Sequence, residues 1–483
     1  MRLSELQSVV TDATLTGDVG ISGIGFDSRI VRRGDLFVAL VGGKADGHDF
    51  VREASAAGAA AVMVQHPVKD IDVPQLVVAD TRAALGKISA LFFDYPSRRL
   101  TVIGVTGTNG KTTTTYLIRS ILQAAGKRAG LIGTICYVTG EGETAALNTT
   151  PESLVIQRLL SEMADADCEY AVLEVSSHAL DAGRADDVEF DAAVFMNLSR
   201  EHLDFHKDMP SYARAKARLF RQLTTEALAV ANSDNEYWEQ VVARTRARVI
   251  RFGFRGTPEV KVTDFETGLS GSRFRLSAAW GEMDLTTPLP GEHNVYNCVA
   301  AAATTAALGI EPAAIARGIA NLTTVSGRLE PVDEGQDFTV FVDYAHSDDA
   351  LENVLKAVKK LTKRRVIVVF GCGGDRDVTK RPRMRAVAEE LADHCVVTSD
   401  NPRSEDPQDI IDQIMRGVRD SSKFTVEPDR ATAIKLAIGM AQAGDLVLIA
   451  GKGHETYQIF RDRRIHFDDR EVAREALRKV VSG

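Results

Sequence analysis

Residues 101 to 119 read Thr-Val-Ile-Gly-Val-Thr-Gly-Thr-Asn-Gly-Lys-Thr-Thr-Thr-Thr-Tyr-Leu-Ile-Arg. The β-branched run from Thr101 to Val105 predicts a buried strand, Gly107 to Gly110 a turn, and Lys111 the start of an amphipathic helix. That order makes an anion site. Backbone N–H groups of the turn and of the helix N-terminus converge, Lys111 adds a positive charge, and the Thr112 hydroxyl can ligate Mg²⁺. The ligand it suits is a nucleoside triphosphate, cradled by Gly107, Thr108, Asn109, Gly110, Lys111, Thr112 and Thr113. The common pattern asks for a glycine where this chain has Val105, so the loop is a shorter variant whose first glycine is Gly107. A plain Gly/Thr turn is the alternative, but strand, turn, Lys-Thr and helix in succession favour phosphate binding.

At 483 residues the chain exceeds one hydrophobic core, and a prior of about 100 to 200 residues per domain predicts three domains. A net charge of −9 argues against a general nucleic-acid binder, although local Arg and Lys clusters can still hold a small anion. Cys136, Cys168, Cys298, Cys372 and Cys395 are odd in number and lack CxxC spacing, which predicts reduced core thiols in a cytosolic protein. Met1 to Val10 has no basic segment leading into an apolar one, and no run approaches the roughly 20 apolar residues of a membrane span. The expectation is a cytoplasmic monomer that partners neither nucleic acid nor membrane.

Residues 1–98 read as a small α/β domain. Polar turns punctuate Gly20 to Phe50, helices are predicted over Ala54 to Ala61 and Thr81 to Phe93, and strands over Ala61 to Val64 and Gln75 to Val78. Asp27-Ser28-Arg29 and Asp46-Gly47-His48 sit where strands give way to loops, and turn chemistry with a surface salt bridge accounts for them without a ligand.

Residues 99–326 alternate strands and helices, which implies a mostly parallel sheet with helices on both faces. The next strand begins at Gly130 and runs to Ile135. Asn148-Thr149-Thr150-Pro151-Glu152 precedes a helix, and capping explains it as well as a ligand contact does. The strand Ala171 to Val175 ends in Glu174-Val175-Ser176-Ser177-His178. Ligands gather at the carboxyl ends of parallel strands, so Glu174 is a candidate Mg²⁺ ligand. Beyond the strand Asp191 to Leu198, His202 and His206 have the spacing of a helical zinc pair, but no HExxH pattern or Cys partner accompanies them. His202 supporting a second Mg²⁺ is the better reading, because a nucleotide and an anionic co-substrate together need more than one cation. Ser211 to Phe220 predicts a basic amphipathic helix, whose periodicity alone makes Lys216 part of a solvated face. Asn294 and Asn297, before the helix Cys298 to Leu308, are caps or contacts to a base or ribose, and the sequence does not choose.

Residues 327–483 repeat the rhythm, with strands at Phe338 to Val342, Arg365 to Phe370, His394 to Thr398 and Asp445 to Ile449. Polar residues follow each strand: Asp343-Tyr344-Ala345-His346, Gly371-Cys-Gly-Gly-Asp-Arg-Asp377, Ser399-Asp-Asn-Pro-Arg403 and Gly451-Lys-Gly-His-Glu455. Strand ends furnished in this way line one cleft. No GxGxxG follows Gly373-Gly374, which argues against a nicotinamide cofactor.

Taken together, Gly-Thr-Asn-Gly-Lys-Thr (107 to 112), Glu-Val-Ser-Ser-His (174 to 178), Asn-Leu-Ser-Arg-Glu-His-Leu-Asp-Phe-His (197 to 206), Gly-Glu-His-Asn-Val-Tyr-Asn (291 to 297), Ser-Gly-Arg-Leu-Glu (326 to 330) and Asp-Tyr-Ala-His (343 to 346) resemble the Mur ligase family. The motifs keep the family's order across all three predicted domains. The resemblance implies an N-terminal uridine-binding domain, a central P-loop ATPase domain and a C-terminal Rossmann-like domain. Asp-Ser-Arg (27 to 29), Asn-Thr-Thr-Pro (148 to 151) and Gly-Lys-Gly-His-Glu (451 to 455) resemble the members that add a diamino acid to UDP-N-acetylmuramoyl-L-alanyl-D-glutamate, using ATP and Mg²⁺.

The same resemblance implies roles residue by residue. Lys111 would hold the β/γ phosphates, Thr112 and Glu174 a first Mg²⁺, and His202 a second. Lys216 would be carbamylated, turning a cation into an anion that supports the second metal. Asn294, Arg328, Asp343 and His346 would surround the nucleotide. Ser28 and His48 would lie at the uridine end of the co-substrate, and Asn148, Thr149, Thr150, Ser176 and Arg184 along its muramoyl peptide and diphosphate. Arg376, Asp400, Asn401, Arg403, Gly451 and Glu455 would form the amino-acid pocket. Arg403 would grip the second carboxylate of meso-diaminopimelate, which lysine lacks. Two departures stand out. Ser347-Asp348-Asp349 replaces a frequent Thr-Pro-Asp, and Ala182 replaces a frequent Gln. The competing readings are a lysine-adding relative, a folylpolyglutamate synthetase and, in a different class, a nucleotide-operated switch. Arg403 and the Asp-Ser-Arg region speak against the first two, and the furnished strand ends against the third.

Overall fold

The strand Thr101–Thr106 lies between Tyr170–Glu174 and Ala192–Phe195, parallel to both, with Val105 opposite Glu174 and Thr106 opposite Phe195. The structure, a computed structural model, describes every residue except Lys44, Glu141 and Gly483. Its fold is α/β throughout, and the chain divides into two units. The first comprises Met1–Leu198, His202–Glu259 and Ala300–Ile315, and the second Ser199–Glu201, Val260–Val299 and Ala316–Gly483.

In the first unit, the parallel strands run in the order Arg248–Gly253, Leu228–Asn232, Ala192–Phe195, Thr101–Thr106, Tyr170–Glu174, Ala129–Ile132. The chain leaves Thr101–Thr106 toward one edge and later returns to fill the other. The carboxyl end of this strand is therefore the topological switch point where an open α/β sheet forms its ligand crevice. Val102, Ile103 and Val105 are buried, as strands covered on both faces require. The strand predicted from Gly130 to Ile135 stops at Ile132, and an antiparallel hairpin, Cys136–Thr139 with Gly142–Ala145, continues that edge.

The N-terminal five-stranded sheet runs Thr14–Leu15, Gln75–Val77, Ala61–Val64, Asp35–Val38, Gly23–Gly25. The helix predicted over Ala54 to Ala61 is instead Val51–Ala56. It ends because Gly58, at φ +105°, donates its N–H back to Ser55 and turns the chain into the next strand.

The second unit contains an antiparallel meander, Val260–Gly268, Gly271–Ala278 and Gly281–Thr287. Ser272, Phe274 and Leu276 are buried while Arg273 and Arg275 are exposed, the alternation of a sheet with one wet face. The six-stranded sheet follows in the order Glu330–Pro331, Thr339–Asp343, Leu446–Ala450, Val366–Phe370, His394–Val397, Phe424–Val426, parallel after the first pair. Val366, Val368 and Phe370 enter one core and Ile367 and Val369 the other, so helices cover both faces. All five cysteines are free and buried.

One buried ion pair ties this sheet to its helices. Arg430 and Asp469, both 0% exposed, meet through two hydrogen bonds of 2.7 Å, and Arg430 also donates to the carbonyls of Ala450 and Ser399 at two strand ends. Removing one partner strands a charge in the core. Asp469→Ala should therefore destabilise this unit by about 3–5 kcal/mol. Urea denaturation followed by circular dichroism measures it, and a loss below about 1 kcal/mol would mean that the guanidinium finds other compensation.

Candidate active site

Lys111 folds back over its own loop. Its Nζ donates to the carbonyls of Gly107 and Thr108, each at 2.8 Å, which sets an ammonium beside the turn before any ligand arrives. Gly110 caps the helix Lys111–Ala124 at φ +86°, a backbone that glycine adopts without a steric penalty. Asn197, at the end of the neighbouring strand, fixes the turn: its Oδ1 accepts the Asn109 N–H at 2.9 Å, and its Nδ2 donates to the Asn109 carbonyl at 3.1 Å. The Thr108 hydroxyl lies 3.2 Å from the Tyr212 hydroxyl.

Thr112 and Glu174 meet at the mouth of this turn. Glu174 is 0% exposed, and its carboxylate accepts the Thr112 hydroxyl at 2.9 Å, the Thr134 N–H at 2.8 Å and the Thr134 hydroxyl at 3.0 Å. Two oxygens held at 2.0–2.1 Å by one octahedral Mg²⁺ lie about 3 Å apart. The spacing of Thr112 Oγ1 and Glu174 Oε2 matches that edge, and both are hard oxygen donors, so the pair fits the ion. Thr134 also lies 3.1 Å from the Thr149 hydroxyl. Thr150 is buried and does not cap the following helix. Its hydroxyl donates to the Glu174 carbonyl at 2.7 Å and accepts the Ser176 N–H at 3.0 Å, and the helix Ser153–Asp165 has no side-chain cap. The capping explanation of this stretch is thereby replaced by a long-range one. Arg184 donates to the Thr150 carbonyl and pairs with Glu152 at 2.9 Å, and Asn148 exchanges hydrogen bonds with the Tyr137 hydroxyl.

Lys216 is not on a solvated face. The helix Met209–Arg221 exposes Arg214 but buries Lys216 to 1%, its Nζ 4.6 Å from the centre of the Tyr212 ring. His202 precedes the short helix Leu203–His206 in a left-handed conformation, φ +56°, so the two histidines do not share one helical face. His178 lies 4.8 Å from the His202 ring and 5.6 Å from that of His206, which stacks on Tyr212. Among the described residues no group of three His, Cys, Asp or Glu side chains is placed to hold a metal ion. An ammonium at Lys216 cannot ligate a cation, whereas a carbamate there would add oxygen donors of the kind Mg²⁺ prefers.

Ser28 and His48 are outside this hydrogen-bond network. Asp27 caps the turn at Ser28 and pairs with Arg29 at 2.6 Å, as turn chemistry predicts, and the Ser28 hydroxyl donates to Glu53. His48 Nε2 accepts the Gln65 N–H, so its proton sits on Nδ1, 2.6 Å from Asp46. The ring also stacks on His66 at 4.4 Å.

The second unit holds the other expected residues in two clusters. Around Tyr344, the Arg328 guanidinium lies 5.2 Å from the ring centre, and His346 is hydrogen-bonded to the Tyr344 carbonyl. Asp343 accepts the N–H groups of Leu329 and Ala345, and burial pushes its carboxyl above the usual range against the pull of Arg328. Burial likewise lowers His454 to about 4, with Arg328 adding to the effect. Ser347 caps the helix Asp348–Leu361, with Asp348 and Asp349 in the first turn, so the departure at 347 to 349 makes a sound helix start. Asn294 is buried, bonded to the Pro290 carbonyl and to Asn297.

The other cluster contains Asp400, Asn401, Arg403, Gly451 and Glu455. Asn401 donates to Glu455 at 2.9 Å. Arg403 adopts φ +53° and gives Nη1 to the Gly374 carbonyl at 2.7 Å, and among the described residues its Nη2 and Nε make no hydrogen bond. Behind it, Arg381 pairs with Glu405, which accepts the Asp375 N–H and so fastens the glycine loop. Arg376 is exposed, and among the described residues its side chain hydrogen-bonds only to the Asp375 carbonyl. Sequence reasoning gave no role of their own to Thr134, Asn197 and Tyr212. The first two follow strand ends and the third lies on the basic helix, and only distant pairing reveals their part.

Three family models match successive stretches: Mur ligase family, catalytic domain, over residues 20–93; Mur ligase middle domain, over 105–305; and Mur ligase, glutamate ligase domain, over 327–453. A UDP-N-acetylmuramoyl-L-alanyl-D-glutamate–2,6-diaminopimelate ligase of Geobacillus kaustophilus is 47% identical over 470 residues, covering 96% of both chains. The like-named ligase of Solibacter usitatus is 46% identical over 462 residues, 95% of this chain and 94% of its own. A solved structure, also of a UDP-N-acetylmuramoyl-L-alanyl-D-glutamate–2,6-diaminopimelate ligase, matches with a TM-score of 0.67 at 33% identity over 95% of both chains. Models that tile the sequence in order, and relatives similar over nearly their whole length, lead to one conclusion: the chain belongs to the Mur ligase family.

Proposed function

We propose that this protein is an ATP-dependent ligase that joins meso-2,6-diaminopimelate to the D-glutamate of UDP-N-acetylmuramoyl-L-alanyl-D-glutamate, in cytoplasmic peptidoglycan synthesis. The observation that carries the reading is the cluster at residues 400–403 and 455. It holds a guanidinium whose Nη2 and Nε make no hydrogen bond among the described residues, and two carboxylates, the complement of an amino acid with both an extra carboxylate and an ammonium. The reading divides the chain at 1–98, 99–326 and 327–483 into domains for the uridine substrate, ATP and the amino acid.

A carboxylate is a poor acyl donor at neutral pH, so ATP first phosphorylates the D-glutamate γ-carboxylate. The amine then attacks the acyl phosphate, and phosphate leaves from a tetrahedral intermediate. The work left to the protein is placement and neutralisation of crowded negative charge. Lys111, already bent over the turn, is set to meet the β/γ phosphates together with the backbone of residues 107–113. Thr112 and Glu174 would hold a first Mg²⁺, with His202 and a carbamylated Lys216 serving a second. Bound there, the cations would neutralise phosphate and carboxylate charge. Asn294, Arg328, Asp343 and His346 would take the base and ribose. Ser28 and His48 would contact the uridine end, and Asn148, Thr149, Thr150, Ser176 and Arg184 the muramoyl peptide and diphosphate. Arg376 and Gly451 complete the amino-acid pocket around Arg403.

The deciding assay is ADP release with each candidate amino acid, with and without the UDP-dipeptide. Turnover should need both the dipeptide and meso-diaminopimelate. Release that ignores both would sink the ligase reading, and efficient turnover with lysine would sink the diaminopimelate assignment. Arg403→Lys loses a bidentate grip worth about 1.5–3 kcal/mol, so KM for meso-diaminopimelate should rise roughly ten- to a hundredfold. An unchanged KM would show that Arg403 does not read the second carboxylate. Thr112→Ala removes one cation ligand, and the Mg²⁺ concentration giving half-maximal rate should rise several-fold. An unshifted Mg²⁺ titration would take Thr112 out of the metal site.

A further inference from the structure

Lys452 has no part in the roles described so far, yet its side chain is 0% exposed, just beyond the strand Leu446–Ala450. Lysine is almost never fully buried unless its charge is answered, because the ammonium loses its hydration. The answering groups are residues of the proposed amino-acid pocket. Lys452 Nζ donates to Glu455 Oε2 at 2.9 Å and to Asn401 Oδ1 at 3.2 Å, and lies 3.7 Å from Asp400 Oδ1. Asn401 closes the triangle: its Nδ2 donates to the same Glu455 Oε2 at 2.9 Å, and its Oδ1 also accepts the Ile459 N–H at 3.0 Å.

This arrangement divides the available oxygens. Glu455 Oε2 takes two donors, while Oε1 has no hydrogen-bond partner among the described residues. Asp400 is 7% exposed, and its buried Oδ1 accepts no hydrogen bond among the described residues. Two acceptors therefore lack a hydrogen bond among the described residues: Asp400 Oδ1, which is buried, where an unsatisfied acceptor is costly, and Glu455 Oε1, on a half-buried side chain. A donor ammonium is what these two oxygens lack.

We propose that Lys452 is a positioning residue for the incoming diamino acid. It holds Glu455 and Asn401 so that Glu455 Oε1 and Asp400 Oδ1 are left to receive one substrate ammonium. The inference rests on the ligase reading above and deepens it. Lys452 touches no substrate; it acts by fixing which oxygen of Glu455 is spent inside the protein and by offsetting one of two neighbouring negative charges, so that both carboxylates keep their places.

The test is steady-state kinetics of the full-length protein carrying Lys452→Met, with Lys452→Gln as the milder variant that keeps a donor. KM for meso-diaminopimelate should rise at least about tenfold, the loss expected for a charged hydrogen bond. KM for ATP and for the UDP-dipeptide, and kcat at saturating amino acid, should stay within about threefold. Because Lys452 acts through Glu455, adding Lys452→Met to Glu455→Gln should cost much less than it does alone, a non-additive cycle. An unchanged KM for meso-diaminopimelate, a parallel loss for all three substrates, or an additive cycle would overturn the proposal. So would the failure of both variants to fold, which would make Lys452 a folding element. Wild-type turnover indifferent to meso-diaminopimelate would instead defeat the reaction on which the proposal rests.

Discussion

A carboxylate sealed from water at the end of a central strand sets the terms for the first unit. Glu174 takes its donors from two distant segments, Thr112 after the phosphate turn and Thr134 after the next strand, while Thr150 grips its backbone carbonyl. Leaving such a group short of donors costs about 1–3 kcal/mol, and more if it is charged. The segments are therefore held to one arrangement. Gly133 shows how tight it is: a Cβ there would stand 2.6 Å from Glu174 Oε1. The second unit solves the same problem with cations, burying Arg430 against Asp469 and Lys452 among Asp400, Asn401 and Glu455. In both units the buried charge lies at the carboxyl ends of parallel strands, where a ligand would also arrive.

What could be read from the sequence was what is local. Strand, turn and helix from Thr101 to Ala124 follow from neighbouring residues, and so do the four strands of the second unit that carry polar ends. The long-range pairings could not be read. Thr150 looks like a cap until Glu174 is placed beside it. Lys216 looks solvated among Arg214 and Arg218, although Tyr212 four residues before it and Phe220 four after mark an apolar face that places it inside. The family resemblance suggested what periodicity could not, a lysine whose chemistry is unlike that of its neighbours.

The histidines show why spacing alone misleads. His202 and His206 are a helical turn apart in sequence, yet His202 turns left-handed and is exposed, while His206 is buried against Tyr212 and hydrogen-bonded to Ser177. A metal-ligand motif needs a shared helical face as well as a shared interval, and the backbone at His202 removes that face.

Arg403 has a consequence for how such a pocket can change over evolutionary time. Its left-handed backbone is disfavoured by about 1–2 kcal/mol for any residue with a side chain. The loop opposite leaves no space to relax: a Cβ on Gly373 would meet Arg403 Nη1 at 2.8 Å, and one on Gly374 would meet the Pro402 carbonyl at 1.9 Å. A new residue at 403 would inherit both the strain and the glycine wall built around a guanidinium. A shift in amino-acid preference is therefore reached more readily by exchanging the two loops together than by a single substitution.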